Sequence, residues 1–141
     1  MRLGGVDIPF DRSLVGHSDG DVLLHAVTDA LLGAAALGDI GEMFPDTAAA
    51  NRGRDSGQIL EAAWRRVAER GFRIVNLDCI VLAERPKLSP YKPEICRRIA
   101  ELLGIGVDRV GVKAKTGEQV GPVGRQEAIE AQCVVLLEEA N

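Results

Sequence analysis

The sequence predicts an α+β layer fold, three or four strands with helices packed on one face. Three observations carry that prediction. Segments with apolar residues at helical spacing alternate with shorter runs rich in Val, Ile and Leu. No repeat or low-complexity linker divides the chain, so its 141 residues read as one domain, 1–141. The closing strand-like run, Cys133-Val134-Val135-Leu136, is apolar on both faces and needs two covers, helices on one side and a second subunit on the other.

In chain order, Gly4 to Phe10 reads as a short strand entering a turn. A helix follows from about Ser18 to Leu37, hydrophobic almost all round and therefore buried on most of its surface. Gly38 to Asp46 is a long acidic loop with turn residues at both ends. Asp55 or Ser56 can cap a second helix running to Arg70, with Ile59, Leu60, Ala63 and Val67 inside and Gly71 as a left-handed stop. Phe72 to Leu82 is a strand. Glu84 to Pro90 is a proline-punctuated loop leading to a helix from about Lys92 to Leu103, stopped by Gly104. Val110, Val112 and Ala114 then alternate with Gly111, Lys113 and Lys115, a half-buried strand whose second face offers two ammonium groups to something anionic. Gly117 to Gly124 is a glycine-containing loop, and a strand from about Ile129 to Leu137 closes the chain.

Composition narrows the function. Hydrophobic residues make up 46% and charged residues 27%, the balance of a water-soluble globular protein. A net charge of −4 without a basic cluster excludes nucleic acid as the expected partner. No run approaches the ~20 apolar residues of a membrane span, and no signal peptide is recognisable, so the reading is cytoplasmic with no membrane partner. Cys79, Cys96 and Cys133 are odd in number and far apart in sequence, which favours free buried thiols over disulfides or a zinc knuckle. The expected ligand is a small molecule.

The chemistry concentrates in one stretch. His17-Ser18-Asp19-Gly20-Asp21, with His25 and Asp29, holds both histidines of the chain. Residues four apart share a helix face, so Asp21, His25 and Asp29 would form a polar seam flanked by Ser18 and Thr28. A buried helix keeps carboxylates beside an imidazole only when something pairs with them, and a divalent metal or a catalytic relay is the usual answer. The alternative is structural: Ser18 caps the helix, Asp21 completes a capping box, and His25 bonds a carboxylate in the core. The number of acidic neighbours favours a metal or phosphate-handling site.

Two motifs resemble a known family. His17-Ser18-Asp19-Gly20-Asp21-Val22 with His25, Thr28-Asp29-Ala30, Gly38-Asp39-Ile40-Gly41 and Phe44-Pro45-Asp46 are similar to the signature of the 2-C-methyl-D-erythritol 2,4-cyclodiphosphate synthases. Lys113-Ala114-Lys115-Thr116 with Glu118, and Gly121 through Gly124-Arg125, resemble that family's second signature. The resemblance implies a ferredoxin-like two-layer sandwich, its mixed sheet facing the axis of a homotrimer with helices outside. It implies cyclisation of 4-diphosphocytidyl-2-C-methyl-D-erythritol 2-phosphate to 2-C-methyl-D-erythritol 2,4-cyclodiphosphate with release of CMP, a lyase step of non-mevalonate isoprenoid biosynthesis. By position, His25 would bind zinc, with Asp29 in its surroundings. His17 and Ser18 would lie along the phosphates and the methylerythritol, and Asp39, Gly41 and Asp46 would line the methylerythritol pocket. Ala83, Pro86, Lys87 and Leu88 would shape the cytidine pocket. Lys115 and Thr116 would act on the phosphates, Thr116 from the neighbouring subunit, while Glu118 would hold magnesium or manganese and Arg125 would stand at the mouth of a threefold cavity.

Three positions depart from the family pattern. The family begins with a Gly-x-Asp-x-His strand carrying two further zinc ligands, and Met1 stands after that point, so the chain as given is expected to be N-terminally truncated and to retain little zinc. Lys115 stands where a threonine is common, and Pro122 where an aromatic is common. Two other functions fit parts of the pattern: a catalytically impaired trimeric module binding cytidine nucleotide or isoprenoid diphosphate, and a general metal-dependent phosphohydrolase.

Overall fold

The structure, a computed structural model, describes residues 1–16 and 18–141. It opens with a hairpin in place of the single strand expected at Gly4 to Phe10: β1 (Arg2–Leu3) pairs antiparallel with β2 (Val6–Asp7). Gly4 and Gly5 make its two-residue turn with φ of +61° and +74°, a pair of left-handed residues that glycine supplies without steric cost. With only two residues per strand, the hairpin is too short to show a period of two.

Helix α1 spans Val22–Ala34 and is shorter at both ends than the 18–37 expected. Asp21, not Ser18, is its N-cap and accepts the Leu24 N–H; the helix stops where Ala36 turns left-handed, at φ +54°. The acidic loop that follows contains a single helical turn, α2 (Ile40–Met43), closed by a capping box between Asp39 and Glu42. Helix α3 (Ser56–Glu69) is capped by Asp55 and buries Ile59, Leu60, Ala63 and Val67 on its inner face. Strand β3 (Phe72–Leu82), helix α4 (Lys92–Leu103) and strand β4 (Val110–Lys115) have the expected bounds, with Gly104 left-handed after α4. One turn of helix, α5 (Gly121–Gly124), interrupts the glycine-containing loop before β5 (Glu130–Glu139).

The sheet has three strands in the order β4-β3-β5 and is mixed. β3 runs parallel to β4, as the intervening α4 requires, and antiparallel to β5. One face belongs to the core. Leu77, Cys79 and Val81 of β3 are buried there beneath α1, α3 and α4, with Cys133 and Val135 of β5 partly covered beside them. Cys79 and Cys133 sit opposite each other in the register, and all three cysteines are free thiols.

Among the described residues no helix packs on the other face. Val134 and Leu136 of β5 are 74% and 57% exposed, beside Gln132 and Glu130. On β4 the same face carries Lys113 and Lys115, and the anion that meets Lys113 is Asp78 of β3 in the same chain. Among the described residues no helix is long and apolar enough to cross a membrane.

Candidate active site

The expected polar seam of α1 comes apart into three separate jobs. Asp21 is fully buried and accepts three amides: Gly4 at 2.9 Å, Gly5 at 2.7 Å and Leu24 at 3.0 Å. Burial pushes its carboxyl above the ordinary aspartate range, against the pull of those three hydrogen bonds. Asp21 therefore ties the glycine hairpin to the start of α1. Asp29, two turns further on, accepts the Ile40 N–H at 2.8 Å and fixes the start of α2. Only His25 is left to do chemistry.

The His25 Nε2 lies 2.9 Å from the Ser18 hydroxyl and 2.8 Å from the Ser56 hydroxyl. Ser56, the first residue of α3, gives its one hydroxyl proton to Asp19 and its backbone N–H to the other oxygen of the same carboxylate at 3.0 Å. With that proton spent, the Ser56 oxygen faces Nε2 as an acceptor. Burial alone would raise the Asp19 carboxyl, but the Ser56 hydroxyl and amide and the Asp21 amide outweigh it, and Asp19 is held below the ordinary range. Asp19 belongs to the acidic stretch that the sequence marks, whereas Ser56 enters the sequence reading only as one of two candidate caps of the second helix.

Ser18 and His25 open onto a cleft of about 340 Å³ whose wall also includes Gly41, Phe44, Asp46 and Asn51. Three of the residues expected along the phosphates and methylerythritol, Ser18, Gly41 and Asp46, thus share one cavity with His25. Asp39 does not line it: its carboxylate accepts the Glu42 N–H at 2.9 Å, inside the capping box. The expectation for His17 lies outside the described residues.

A second cleft, also about 340 Å³, opens where the parallel strands β3 and β4 end. Ala83, Pro86, Lys87 and Leu88 form one wall, and Ala114, Lys115 and Thr116 the other. The structure therefore puts Thr116 in the same cavity as Lys87 within one chain. Among the described residues neither Lys87 nor Lys115 has a carboxylate within 4.0 Å. Two lysines against one glutamate, Glu84, give this cleft a lining that favours an anion. Among the described residues the two clefts share no lining residue. Arg125 lines neither and is paired with Glu127 at 2.9 Å. Glu118 is exposed, just beyond Thr116, whose hydroxyl accepts the Glu118 N–H at 3.2 Å.

Among the described residues no three His, Cys, Asp or Glu side chains come together as a metal-binding group. A catalytic zinc site uses three protein ligands, and the described residues bring one imidazole already engaged by two hydroxyls, so they do not fit zinc. Magnesium is less demanding. It binds through one or two carboxylates and takes its other ligands from water and substrate phosphates, which suits the exposed Glu118 beside an anion cleft.

The fold and the lysine-bearing cleft define the class: an α+β protein with an anion-favouring cavity at the C-terminal ends of two parallel strands. Within that class the chain belongs to the YgbB family, which matches residues 1–138. It is 58% identical to the 2-C-methyl-D-erythritol 2,4-cyclodiphosphate synthase of Chromobacterium violaceum, over 99% of this chain and 89% of that protein. It is 56% identical to the synthase of the same name from Neisseria gonorrhoeae, over 97% of this chain and 86% of that protein. The solved complex of Plasmodium falciparum IspF with CDP superposes with a TM-score of 0.89 at 34% identity, covering 100% of this chain and 85% of that one.

Proposed function

We propose that this chain catalyses ring closure of 4-diphosphocytidyl-2-C-methyl-D-erythritol 2-phosphate to 2-C-methyl-D-erythritol 2,4-cyclodiphosphate with release of CMP. The observation that carries the reading is the cleft at the ends of β3 and β4, lined by a proline-punctuated loop, by Thr116 and by Lys87 and Lys115, neither of which has a carboxylate partner among the described residues. The names of the relatives and the CDP in the Plasmodium falciparum complex support it.

In this reaction an oxygen of the 2-phosphate attacks the phosphorus borne on the 4-oxygen. The bond from that phosphorus to the bridging oxygen breaks, and CMP leaves with the electron pair. Two like charges ~4 Å apart repel by roughly 4 kcal/mol at an effective dielectric near 20, so the phosphates must be neutralised before they can meet. Lys87 and Lys115 supply positive charge at the diphosphate, and Thr116 donates a hydroxyl hydrogen to a phosphate oxygen. Ser18 and His25 face the cleft assigned to the methylerythritol and its 2-phosphate, with Gly41 and Asp46 on the opposite wall. Glu118 would hold magnesium or manganese, which supplies further charge neutralisation at the phosphates when bound.

Among the described residues the two clefts share no lining residue, and we assign the halves of one working site to neighbouring chains, the nucleotide half from one and the methylerythritol half from the next. The bare outer face of the sheet, with Val134 and Leu136 exposed, is the surface proposed to meet in a homotrimer of ferredoxin-like subunits. Lys87→Ala tests the nucleotide half. Removing a charge-assisted contact to phosphate should weaken CDP about tenfold by calorimetry, with no fall in melting temperature, and CDP should bind more tightly than UDP. Equal binding of all nucleotides, or none, would overturn the reading. CDP binding without CMP release would instead identify a nucleotide-binding module.

A further inference from the structure

The segment from Thr116 to Gln119 holds an unfavourable conformation. Glu118 and Gln119 are consecutive non-glycine residues with φ of +51° and +63°, a region side chains disfavour and occupy only when their surroundings enforce it. Part of the enforcement is internal. The Val120 N–H bonds the Gly117 carbonyl at 2.9 Å, and the loop is packed so closely on α5 that a Cβ on Gly117 would collide with the Gly124 backbone and a Cβ on Gly124 with the Gln119 backbone. One support comes from outside the loop. Glu84, two residues beyond the end of β3, reaches across with Oε2 and accepts the Gly117 N–H at 2.9 Å.

Glu84 is half-buried in the wall of the nucleotide cleft, on the strand end that leads into the Arg85–Leu88 loop. A carboxylate there repels a diphosphate, so direct phosphate binding does not account for it. Its hydrogen bond instead joins the two walls of the cleft at the residue between Thr116 and Glu118, the phosphate donor and the carboxylate suited to a divalent ion.

We propose that Glu84 is a positioning residue: by accepting the Gly117 N–H it sets the loop that presents Thr116 and Glu118 to the nucleotide's phosphates. The inference rests on the nucleotide reading given above. Glu84→Gln keeps an oxygen acceptor for Gly117 and removes the charge, whereas Glu84→Ala removes both.

Calorimetric titration of CDP, with and without Mg²⁺, together with amide exchange at Gly117 measured without ligand, tests it. Outer partners of a binding residue typically contribute 10- to 100-fold, so Glu84→Ala should lose about tenfold in Mg²⁺-dependent CDP affinity. Its Gly117 amide should exchange faster than in the wild type. Glu84→Gln should restore most of both. If Glu84→Ala fails to fold, Glu84→Leu removes the acceptor while keeping the packing of the stem. Unchanged CDP affinity in Glu84→Ala, or an unchanged Gly117 exchange rate, overturns the proposal. So does Glu84→Gln behaving like Glu84→Ala, because charge would then matter and not the hydrogen bond. Wild-type protein that binds no CDP would overturn the nucleotide reading, and this inference with it; that failure is visible in the wild-type titration alone.

Discussion

Asp21→Ala should destabilise the protein by about 3 kcal/mol, from the loss of an N-cap worth ~1 kcal/mol and two further amides left without an acceptor at ~1 kcal/mol or more each. At this chain length that corresponds to a fall in melting temperature of about 10 °C. The site offers no substitute acceptor, since Asp21 is fully buried and its two oxygens already serve Gly4, Gly5 and Leu24. Asp21→Asn should not rescue it, because the amide nitrogen would turn a donor toward one of these donors. The titration has a definite sign. Burial raises the folded-state value of Asp21, so its protonated form favours the fold. The associated stability is present below the unfolded value of about 3.9 and is lost as pH rises through the folded value. That part of the pH dependence should be absent in Asp21→Asn. Thermal melts across this range check both statements, and a melting temperature within a degree or two of wild type for Asp21→Ala would show that the hairpin is held by something else.

Val134→Asp combined with Leu136→Asp should convert the assembly to monomers and lower CMP release by about 100-fold, the order expected when reacting groups lose their mutual positioning. Both side chains lie on the sheet face that carries no helix, so the subunit's own core should be untouched and its secondary structure retained. The substitution puts like charges where chains would meet, next to Glu130 on the same strand face, and desolvating them is costly. Light scattering at micromolar protein and an assay of CMP release decide it. A wild-type chain that is already monomeric, or a double variant that keeps its assembly, would overturn the role assigned to this face.

Regular elements with strong periodicity were legible from the sequence. β3, α4 and β4 have the bounds that their patterns and the Gly71 and Gly104 stops indicate. The start of α1 was not, because Ser18 and Asp21 are both good caps and the choice rests on a distant contact: the Gly4 and Gly5 amides recruit Asp21. The same contact explains why a carboxylate in the Asp21-His25-Asp29 spacing is structural. Helical spacing places side chains on one face, but does not say which of them are already claimed by backbone from another element. Short pieces escaped for a different reason: the hairpin and α2 are shorter than one period of the signal that would reveal them, although Asp39 and Glu42 stand at capping-box spacing. For the candidate site, the juxtaposition of the Lys87 loop with Lys115 and Thr116 follows from parallel pairing of β3 and β4, which periodicity does not encode.

The separation of the two clefts has a genetic consequence. If every working site borrows one half from each of two chains, an allele damaged at Lys87 and an allele damaged at His25 carry lesions in different halves. Co-expressed, their products would share assemblies in which some sites draw an intact half from each chain, so two inactive alleles would partly complement one another. Two alleles damaged in the same half would not. A single damaged allele beside a normal one would in turn impair sites to which the normal chain contributes, which makes its effect partly dominant.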